Sequence, residues 1–336
     1  MNAYKLFCVL LSTAAITACS SDDNGITEPL TPNPEPTLLP LTIEVAENPM
    51  VNPEAPSGSP KRGEEARATR AAIATTTTLS EFSINYEYGT AHYTNGTTLT
   101  ATKSAEGKWT SDAVWPVGDE TINWYAASDG TFLLTDDDNK YPYTSFTVEE
   151  NTASQKDLLV AKTSAKYTDA DGNVTFTFDH ACTALRFLVK KATNLADYTL
   201  SITSVQLCNV INQGQYFYDT ASWTLGSSRS SYTLYTGPAK TLGTTDYEAL
   251  DASSAPYLFM IPQTLTAWDH ETDIASATAQ TYIQISCTIT KDASDVFSGT
   301  AYIPFGATLA AGMQHDVKIN IGKNSLYSSA DTKIIQ

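Results

Sequence analysis

The sequence predicts an all-β protein built from antiparallel β-sandwiches, and three observations support this prediction. Short runs of alternating apolar and polar residues recur at a spacing of about 8–12 residues. Turn-forming residues separate these runs, and no long helix-forming run lies between them. Thr, Tyr, Val and Ile, which favour strands, are frequent. With 336 residues, 42% of them hydrophobic, the chain can bury the cores of two domains or of one large domain.

The first 19 residues carry the pattern of an export signal. Lys5 precedes an apolar run at 6–11, and small residues then lead to Ala18 and Cys19. The apolar run is too short to span a bilayer as a permanent helix. The cysteine at the cleavage point resembles the lipobox of bacterial lipoproteins, in which Cys19 would be lipidated. An acidic stretch at 20–24 resembles the surface-export signal of some Gram-negative lipoproteins; an ordinary signal peptide with a chance cysteine is the alternative.

Residues 20–70 are predicted to be a tether that carries one removable strand. Prolines and polar residues at 20–40 favour an extended, solvated chain. The next seven residues alternate and place Leu41, Ile43 and Val45 on one face. A lone strand is not stable in water, so this one must pair with the body of the protein.

A basic segment links this strand to the body. It follows several prolines and glycines and contains Lys61, Arg62, Arg67 and Arg70. Such a segment is easy for a protease to cut. We therefore interpret the strand as provisional, although a solvated basic loop without a processing role is the alternative.

The body is predicted to be two β-sandwich domains, residues 71–165 and 166–323, divided near the turn signal at 169–173. That turn also resembles the start of a calcium loop, but it lacks the later glutamate of an EF-hand. The strands predicted from alternation are 82–88, 122–127, 132–134, 146–149, 157–162, 174–178, 184–189, 200–207, 216–218, 232–235, 257–262, 281–289, 297–303 and 315–322.

The C-terminal tail, residues 324–336, alternates weakly. Leu326, Ala330 and Ile334 fall on one face, which suits a strand laid into an apolar groove. These residues are candidate donor-strand positions, and a frayed terminus is the alternative.

Charge and motif content argue against several function classes. The net charge of −17 disfavours binding to nucleic acid. The sequence contains no HExxH, GxSxG, GxGxxG or phosphate-binding loop motif, so no catalytic residue, metal site or cofactor is predicted. Asp179 and His180 could be half of a catalytic triad, but a structural histidine is the preferred interpretation. Exposed aromatic residues leave glycan binding open, because tyrosine and tryptophan rings can stack on sugars.

Three cysteines lie outside the export signal, and an odd number cannot all pair. Cys182, Cys208 and Cys287 each lie in a strand-like context. Buried free thiols are the preferred interpretation. One disulfide with one free thiol is the alternative.

Short segments spread over about 300 residues together resemble the fimbrillin family of surface lipoproteins, also called type V or Mfa-like pilins. Each segment is degenerate, and their order along the chain carries the resemblance. The segments are Ile16–Cys19, Thr69–Ala71, Trp115–Ile122, Trp124–Ala127, Asp157–Ala161, Phe176–Ala181, Leu185–Phe187, Ser204–Leu207, Trp223, Phe259–Gln263, Tyr302–Pro304 and Gly312.

The resemblance implies two tandem transthyretin-like antiparallel β-sandwich domains and a structural subunit of a cell-surface pilus. It implies export to the outer membrane as a lipoprotein and cleavage after an arginine by an Arg-specific surface protease. On this sequence the cleaved bond would be Arg70–Ala71, with Arg67–Ala68 as the alternative. Removal of the first strand would then open a groove that accepts a strand from another pilin subunit.

Two other interpretations stay open. Because the tail is short and only moderately apolar, the chain is alternatively a tip or accessory subunit that accepts a strand without donating one. The second alternative is a glycan-binding lipoprotein that stays tethered through Cys19. Limited trypsin digestion separates the pilin from the tethered lipoprotein, because only the pilin should lose its N-terminal segment and then polymerise.

Overall fold

Alternating apolar side chains produce strands over more than half of the described residues. The computed structural model describes residues 41–51, 74–87, 98–115, 120–133, 142–250 and 257–328. The strands are β1 Thr42–Glu47, β2 Glu81–Glu87, β3 Leu99–Lys103, β4 Trp109–Ser111, β5 Ile122–Ala127, β6 Thr131–Leu133, β7 Tyr143–Thr147, β8 Leu159–Ala165, β9 Asn173–His180, β10 Thr183–Lys191, β11 Thr199–Ile211, β12 Gln213–Phe217, β13 Ser222–Leu225, β14 Arg229–Thr241, β15 Glu248–Ala249, β16 Leu258–Met260, β17 Thr264–Leu265, β18 Tyr282–Lys291, β19 Ser294–Pro304, β20 Ala307–Thr308 and β21 Gln314–Ile321.

Among the residues that the structure describes, helical structure is limited to short turns. The α-helix α1 covers Tyr167–Ala170, and 3₁₀ turns cover Thr193–Leu195, Ile274–Ser276 and Lys323–Ser325. The described residues include no helix with the length and hydropathy needed to cross a bilayer. The prediction of an all-β protein is therefore confirmed, whereas the two-domain transthyretin-like arrangement stays a prediction.

The first sheet closes on itself in the order β1-β4-β3-β2-β5-β8-β9. We call it the closed sheet. Its interior is an apolar cluster that is rich in aromatic rings, including Phe82, Trp115, Trp124, Phe176 and Phe178. The ring centroid of Phe82 lies 5.5 Å from that of Phe176 and 5.1 Å from that of Phe178. These ring contacts join strands that lie far apart in sequence.

The remaining strands form other sheets around a second, larger apolar cluster. Their orders are β14-β11-β18-β19, β13-β12-β7-β6 and β17-β20, and β10 pairs with β15, β16 and β21. All described strand pairs are antiparallel except β1 with β9 and β10 with β21. The two parallel pairs were not predicted, because local alternation carries no information about the direction of a partner strand.

Chain order and sheet membership differ around the predicted domain boundary. β9 follows the predicted boundary at 165/166 but belongs to the closed sheet, whereas β6 and β7 precede that boundary and pair outside the closed sheet with β12. The predicted turn at 169–173 is one turn of helix that ends in left-handed residues Asp171 and Gly172. The division into residues 71–165 and 166–323 stays a prediction.

The three body cysteines are all buried and free. Burial raises the pKa of the thiol of Cys182, Cys208 and Cys287. They pack as small apolar side chains, as preferred from the sequence.

Candidate functional site

The first strand occupies a gap in the closed sheet. β1 pairs with β9 in parallel over six residues, from Thr42 opposite Asn173 to Glu47 opposite Phe178. On its other side, β1 meets β4 through one described antiparallel pair, Ile43 opposite Trp109. The closed sheet is therefore firmly bonded on one side of β1 and weakly bonded on the other.

The apolar face predicted for this strand is the face that packs inward. Ile43 is 6% exposed and belongs to the aromatic cluster. Leu41 and Val45 are half-buried against the same cluster, while Thr42 and Glu44 are exposed. The segment thus contributes one buried side chain and two half-buried side chains to the aromatic cluster. The strand closes the sheet over the aromatic rings.

Hydrogen bonds fix both ends of β1. The backbone N–H of Thr42 donates to the carbonyl of Gly172 (2.9 Å), and the N–H of Asn48 donates to the carbonyl of Phe178 (2.8 Å). The side-chain amide of Asn48 also donates to Asp179 Oδ1 (2.7 Å). These bonds set the register of the strand against β9.

The chain after β1 continues toward the second cluster. Met50 is buried in that larger cluster. The N–H of Val51 donates to the carbonyl of Gly312 (2.8 Å), and the N–H of Gln314 donates to the carbonyl of Val51 (2.8 Å). Residues 41–51 therefore contact both apolar clusters.

Two carboxylates hold the start of the body, and the sequence interpretation missed both. Glu47 on β1 accepts a hydrogen bond from the backbone N–H of Thr76. Asp157 accepts one from the N–H of Ala74 through Oδ2 (3.2 Å). Lys103 donates to the carbonyl of Thr76 (2.7 Å). An acidic residue directly before the apolar run at 158–160 was the available signal for Asp157.

His180 is buried, and its partner is Asp157 rather than the neighbouring Asp179. His180 Nδ1 lies 2.7 Å from Asp157 Oδ2, so the imidazole N–H donates to the carboxylate. Successive residues of a strand point to opposite faces, which directs Asp179 away from this pair. The nearby Cys182 thiol has a raised pKa because of burial and the charge of Asp157. The thiol therefore keeps its proton and is a poor nucleophile, so the pair fits a structural role.

Several predicted site residues lie outside the described residues. They are Cys19, the arginine–alanine pairs Arg67–Ala68 and Arg70–Ala71, and the tail positions Ala330 and Ile334. Within the described ranges, no group of three acidic, histidine or cysteine side chains is placed to hold a metal ion.

The described start of the tail packs on its own subunit. Leu326 is fully buried in the larger cluster. Tyr327 and Tyr302 exchange two backbone hydrogen bonds (3.0 and 3.1 Å), and His270 stacks on the Tyr327 ring at 4.5 Å. Donation of Leu326 to another subunit would require this side chain to leave the core.

Comparison with known proteins relates the whole body to one group. Residues 67–334 match the sequence profile of a family described as fimbrillin-like. No curated protein sequence matches the chain.

Two solved structures share the fold. A fimbrial protein from Bacteroides vulgatus ATCC 8482 superposes with a TM-score of 0.54 at 18% identity, covering 85% of this chain and 95% of that one. A candidate cell adhesion protein from Parabacteroides distasonis ATCC 8503 superposes with a TM-score of 0.50 at 11% identity, covering 85% of this chain and 89% of that one. At these identities the structures show the fold alone, and the profile match carries the assignment: this chain belongs to the fimbrillin-like family.

Proposed function

We propose that this protein is a structural subunit of a cell-surface pilus that supports adhesion. It is exported as a lipoprotein through Cys19 and held at the outer membrane. An Arg-specific surface protease cuts it at Arg70–Ala71, with Arg67–Ala68 as the alternative. Loss of β1 then frees a groove, and a strand from another pilin subunit fills it.

The position of β1 is the observation that carries this proposal. The strand is bonded along β9 but meets β4 through one described residue pair. Its removal would leave a β9 edge with unpaired backbone groups and an opening above the aromatic cluster. An exposed apolar edge of this kind pairs readily with another strand. Backbone hydrogen bonds would supply affinity, and pockets for alternate side chains would supply specificity.

Family membership supports the same proposal. The family match begins at residue 67, after β1 and just before Arg70. Apart from residues 67–70, the part of the chain that matches the family would remain after cleavage at Arg70–Ala71. A structural role also accounts for the buried His180–Asp157 pair and the protonated Cys182 without any catalytic task.

A second candidate is an accessory or tip subunit that accepts a strand without donating one. The burial of Leu326 favours it, because the tail begins by packing on its own subunit.

Cleavage and assembly can be tested together on the full chain. We expect digestion with an Arg-specific protease to yield a resistant body that begins at Ala71, identified by mass spectrometry. The cut protein, mixed with purified candidate subunits, should form ladders that resist SDS. The triple variant Arg62→Gln, Arg67→Gln, Arg70→Gln is the matched control and should stay uncut and monomeric.

The outcomes separate the candidates. If the cut protein stays monomeric with every candidate subunit, the pilin proposal is wrong. Deleting residues 329–336 distinguishes the two kinds of subunit. Loss of polymer growth indicates a donor strand, whereas unchanged growth indicates the accessory role.

A further inference from the structure

One end of the β14-β11-β18-β19 sheet carries a polar pocket of about 470 Å³. Its walls come from Asn209 near the end of β11, residues 229–231 at the start of β14, Tyr282 at the start of β18, Glu150 after β7 and the turn at 274–278. Pockets that bind small molecules have volumes of roughly 300–1,000 Å³, and this one lies within that range. These lining residues all lie outside the strands of the closed sheet.

Asn209 holds the walls of this pocket together. Its backbone is left-handed, with φ of 68°, where the register between β11 and β14 shifts. Its side-chain amide donates hydrogen bonds to the carbonyl of Gln280 (2.8 Å) and to that of Ala277. Its own carbonyl accepts a hydrogen bond from the Arg229 guanidinium (2.8 Å). These bonds fix β11, the start of β14 and the turn at 274–278 relative to one another.

The pocket offers both hydrogen-bond donors and acceptors. A guanidinium carries several N–H donors, and the described bond to Asn209 uses one of those on Arg229. Glu150 is exposed, and its carboxylate, which accepts a hydrogen bond from the Ser230 hydroxyl (2.8 Å), can accept further ones. The wall also has two exposed hydroxyl side chains, Ser231 and Thr278. A ligand with several hydroxyl groups matches this set, because each hydroxyl can both donate and accept.

The charges of the pocket disfavour an ionic ligand. Glu150 repels an anion, and so do Asp273, which caps the turn at 274–276, and the net charge of −17. Arg229 in turn repels a cation. A neutral ligand avoids both penalties and still gains hydrogen bonds to charged groups, which are stronger than those between neutral groups.

An aromatic surface adjoins the pocket. Tyr282 lines the pocket, and its ring centroid lies 5.7 Å from that of Tyr302. The backbone of Tyr302 bonds to that of Tyr327, whose ring stacks on His270. These four rings are half-buried and belong to neither of the two apolar clusters of the described residues. A tyrosine combines an apolar ring face with a polar tip, and such faces stack on sugar rings.

We propose that this pocket binds a neutral hexose residue of a glycan. Neighbouring hydroxyls of the hexose bond to Arg229 and Glu150, and the next sugar of the glycan lies on the rings of Tyr282 and Tyr302. The inference rests on the proposed function and deepens it, because it names the chemical class that an adhesive subunit recognises. Because the pocket lies outside β1, the uncut and the cut protein should bind equally well.

Saturation-transfer NMR on the uncut full chain tests the proposal. The probes are the methyl α- and β-pyranosides of glucose, galactose and mannose at millimolar concentration, and methyl β-glucuronide is the anionic comparison. We expect saturation of the protein to transfer to the ring protons of at least one neutral glycoside and not to the glucuronide. Titration of the signal then gives a dissociation constant.

Two variants with matched controls locate the bound sugar. Glu150→Gln removes a charged acceptor and should weaken binding by about tenfold or more. Glu149→Gln, at an exposed neighbour outside the pocket, should leave the dissociation constant unchanged. Ala275→Trp fills the pocket from an exposed lining position and should abolish binding, whereas Ala279→Trp, exposed but outside the pocket, should not.

The outcomes decide the proposal. It is wrong if no neutral glycoside receives saturation, if the glucuronide alone does, or if binding persists unchanged in Glu150→Gln and Ala275→Trp. Circular dichroism checks that each variant folds, and Glu150→Gln decides the matter if Ala275→Trp does not. The pilus role fails by a different result, a cut protein that does not assemble. Sugar binding without assembly would instead favour the tethered glycan-binding lipoprotein.

Discussion

Ile43 lies directly opposite Trp109, and this pair is the described contact through which β1 reaches β4. Trp109 in turn packs on Phe82 with ring centroids 4.8 Å apart. A single described residue pair between β1 and β4 thus closes the sheet, and it lies over the aromatic cluster.

Truncating Ile43 should therefore loosen the closed sheet. We expect Ile43→Ala to lower the free energy of unfolding of the uncut protein by about 2–4 kcal/mol, because the side chain is buried and its loss leaves a cavity. Urea unfolding followed by tryptophan fluorescence measures this. Thr42→Ala, at an exposed neighbour, is the control and should change stability by less than about 0.5 kcal/mol. Equal effects of the two substitutions would contradict the assigned face of β1.

Stability should decline at alkaline pH. Burial raises the pKa of Tyr216 and of Tyr282 to about 12 and that of Cys287 to about 11. These groups keep their protons in the folded state at pH values where the unfolded chain releases them. The stability that they contribute is therefore complete below the pKa of each group in the unfolded chain. That pKa is about 8.5 for the thiol and about 10 for the tyrosines. This stability is then lost as the pH rises through the pKa values that the groups have in the folded protein.

Urea unfolding at pH 7, 9 and 11 measures this decline. Tyr216→Phe and Tyr282→Phe should each make the decline of the free energy of unfolding with pH less steep. Tyr247→Phe, outside the buried clusters, is the control and should leave the decline unchanged. A stability that rises between pH 9 and pH 11 would be inconsistent with the raised pKa values.

The three body thiols should be inert in the folded protein. Each is buried, and a raised pKa keeps the reactive thiolate scarce. In a chain expressed from residue 20 onward, we expect Ellman's reagent at pH 8 to react slowly before unfolding and with three equivalents after it. Cys287→Ser should give two equivalents. One equivalent in the unfolded parent chain would instead indicate a disulfide.

Leu326 should behave as a core residue. We expect Leu326→Ala to lower the free energy of unfolding by about 2–5 kcal/mol, because the side chain is fully buried. Asn324→Ala, at an exposed position nearby, is the control and should have little effect. A Leu326→Ala protein as stable as its parent would show that this side chain is available for donation.

Local pattern predicted the strands and their faces better than their partners. The prediction of β1 from residue 41 to residue 47 differs from the observed strand by one residue, and Ile43 faces inward as predicted. Short or threonine-rich strands such as β3 and β4 were missed, because they offer few alternating apolar residues.

Contacts between distant segments could not be predicted from one sequence. The pairing of His180 with Asp157 depends on how β8 and β9 are brought together, and the more obvious partner, Asp179, faces the other way. Leu326 was predicted to be a donor position on its alternation alone. The same alternation also fits a residue that packs in the core of its own subunit, and Leu326 is buried there.

The parallel pairing of β1 with β9 also has a consequence for folding order. Thr42 pairs with Asn173, so 131 residues separate the partners along the chain. Closing so long a loop is entropically costly, whereas β2 to β5 and β8 to β9 join through much shorter connections. We expect β1 to dock last during refolding, seen as a late change in the fluorescence of Trp109, and a Trp109 signal that completes in the first phase would refute this. A strand that docks last rests on a body that is already formed, which makes it the strand whose departure disturbs the rest of the protein least.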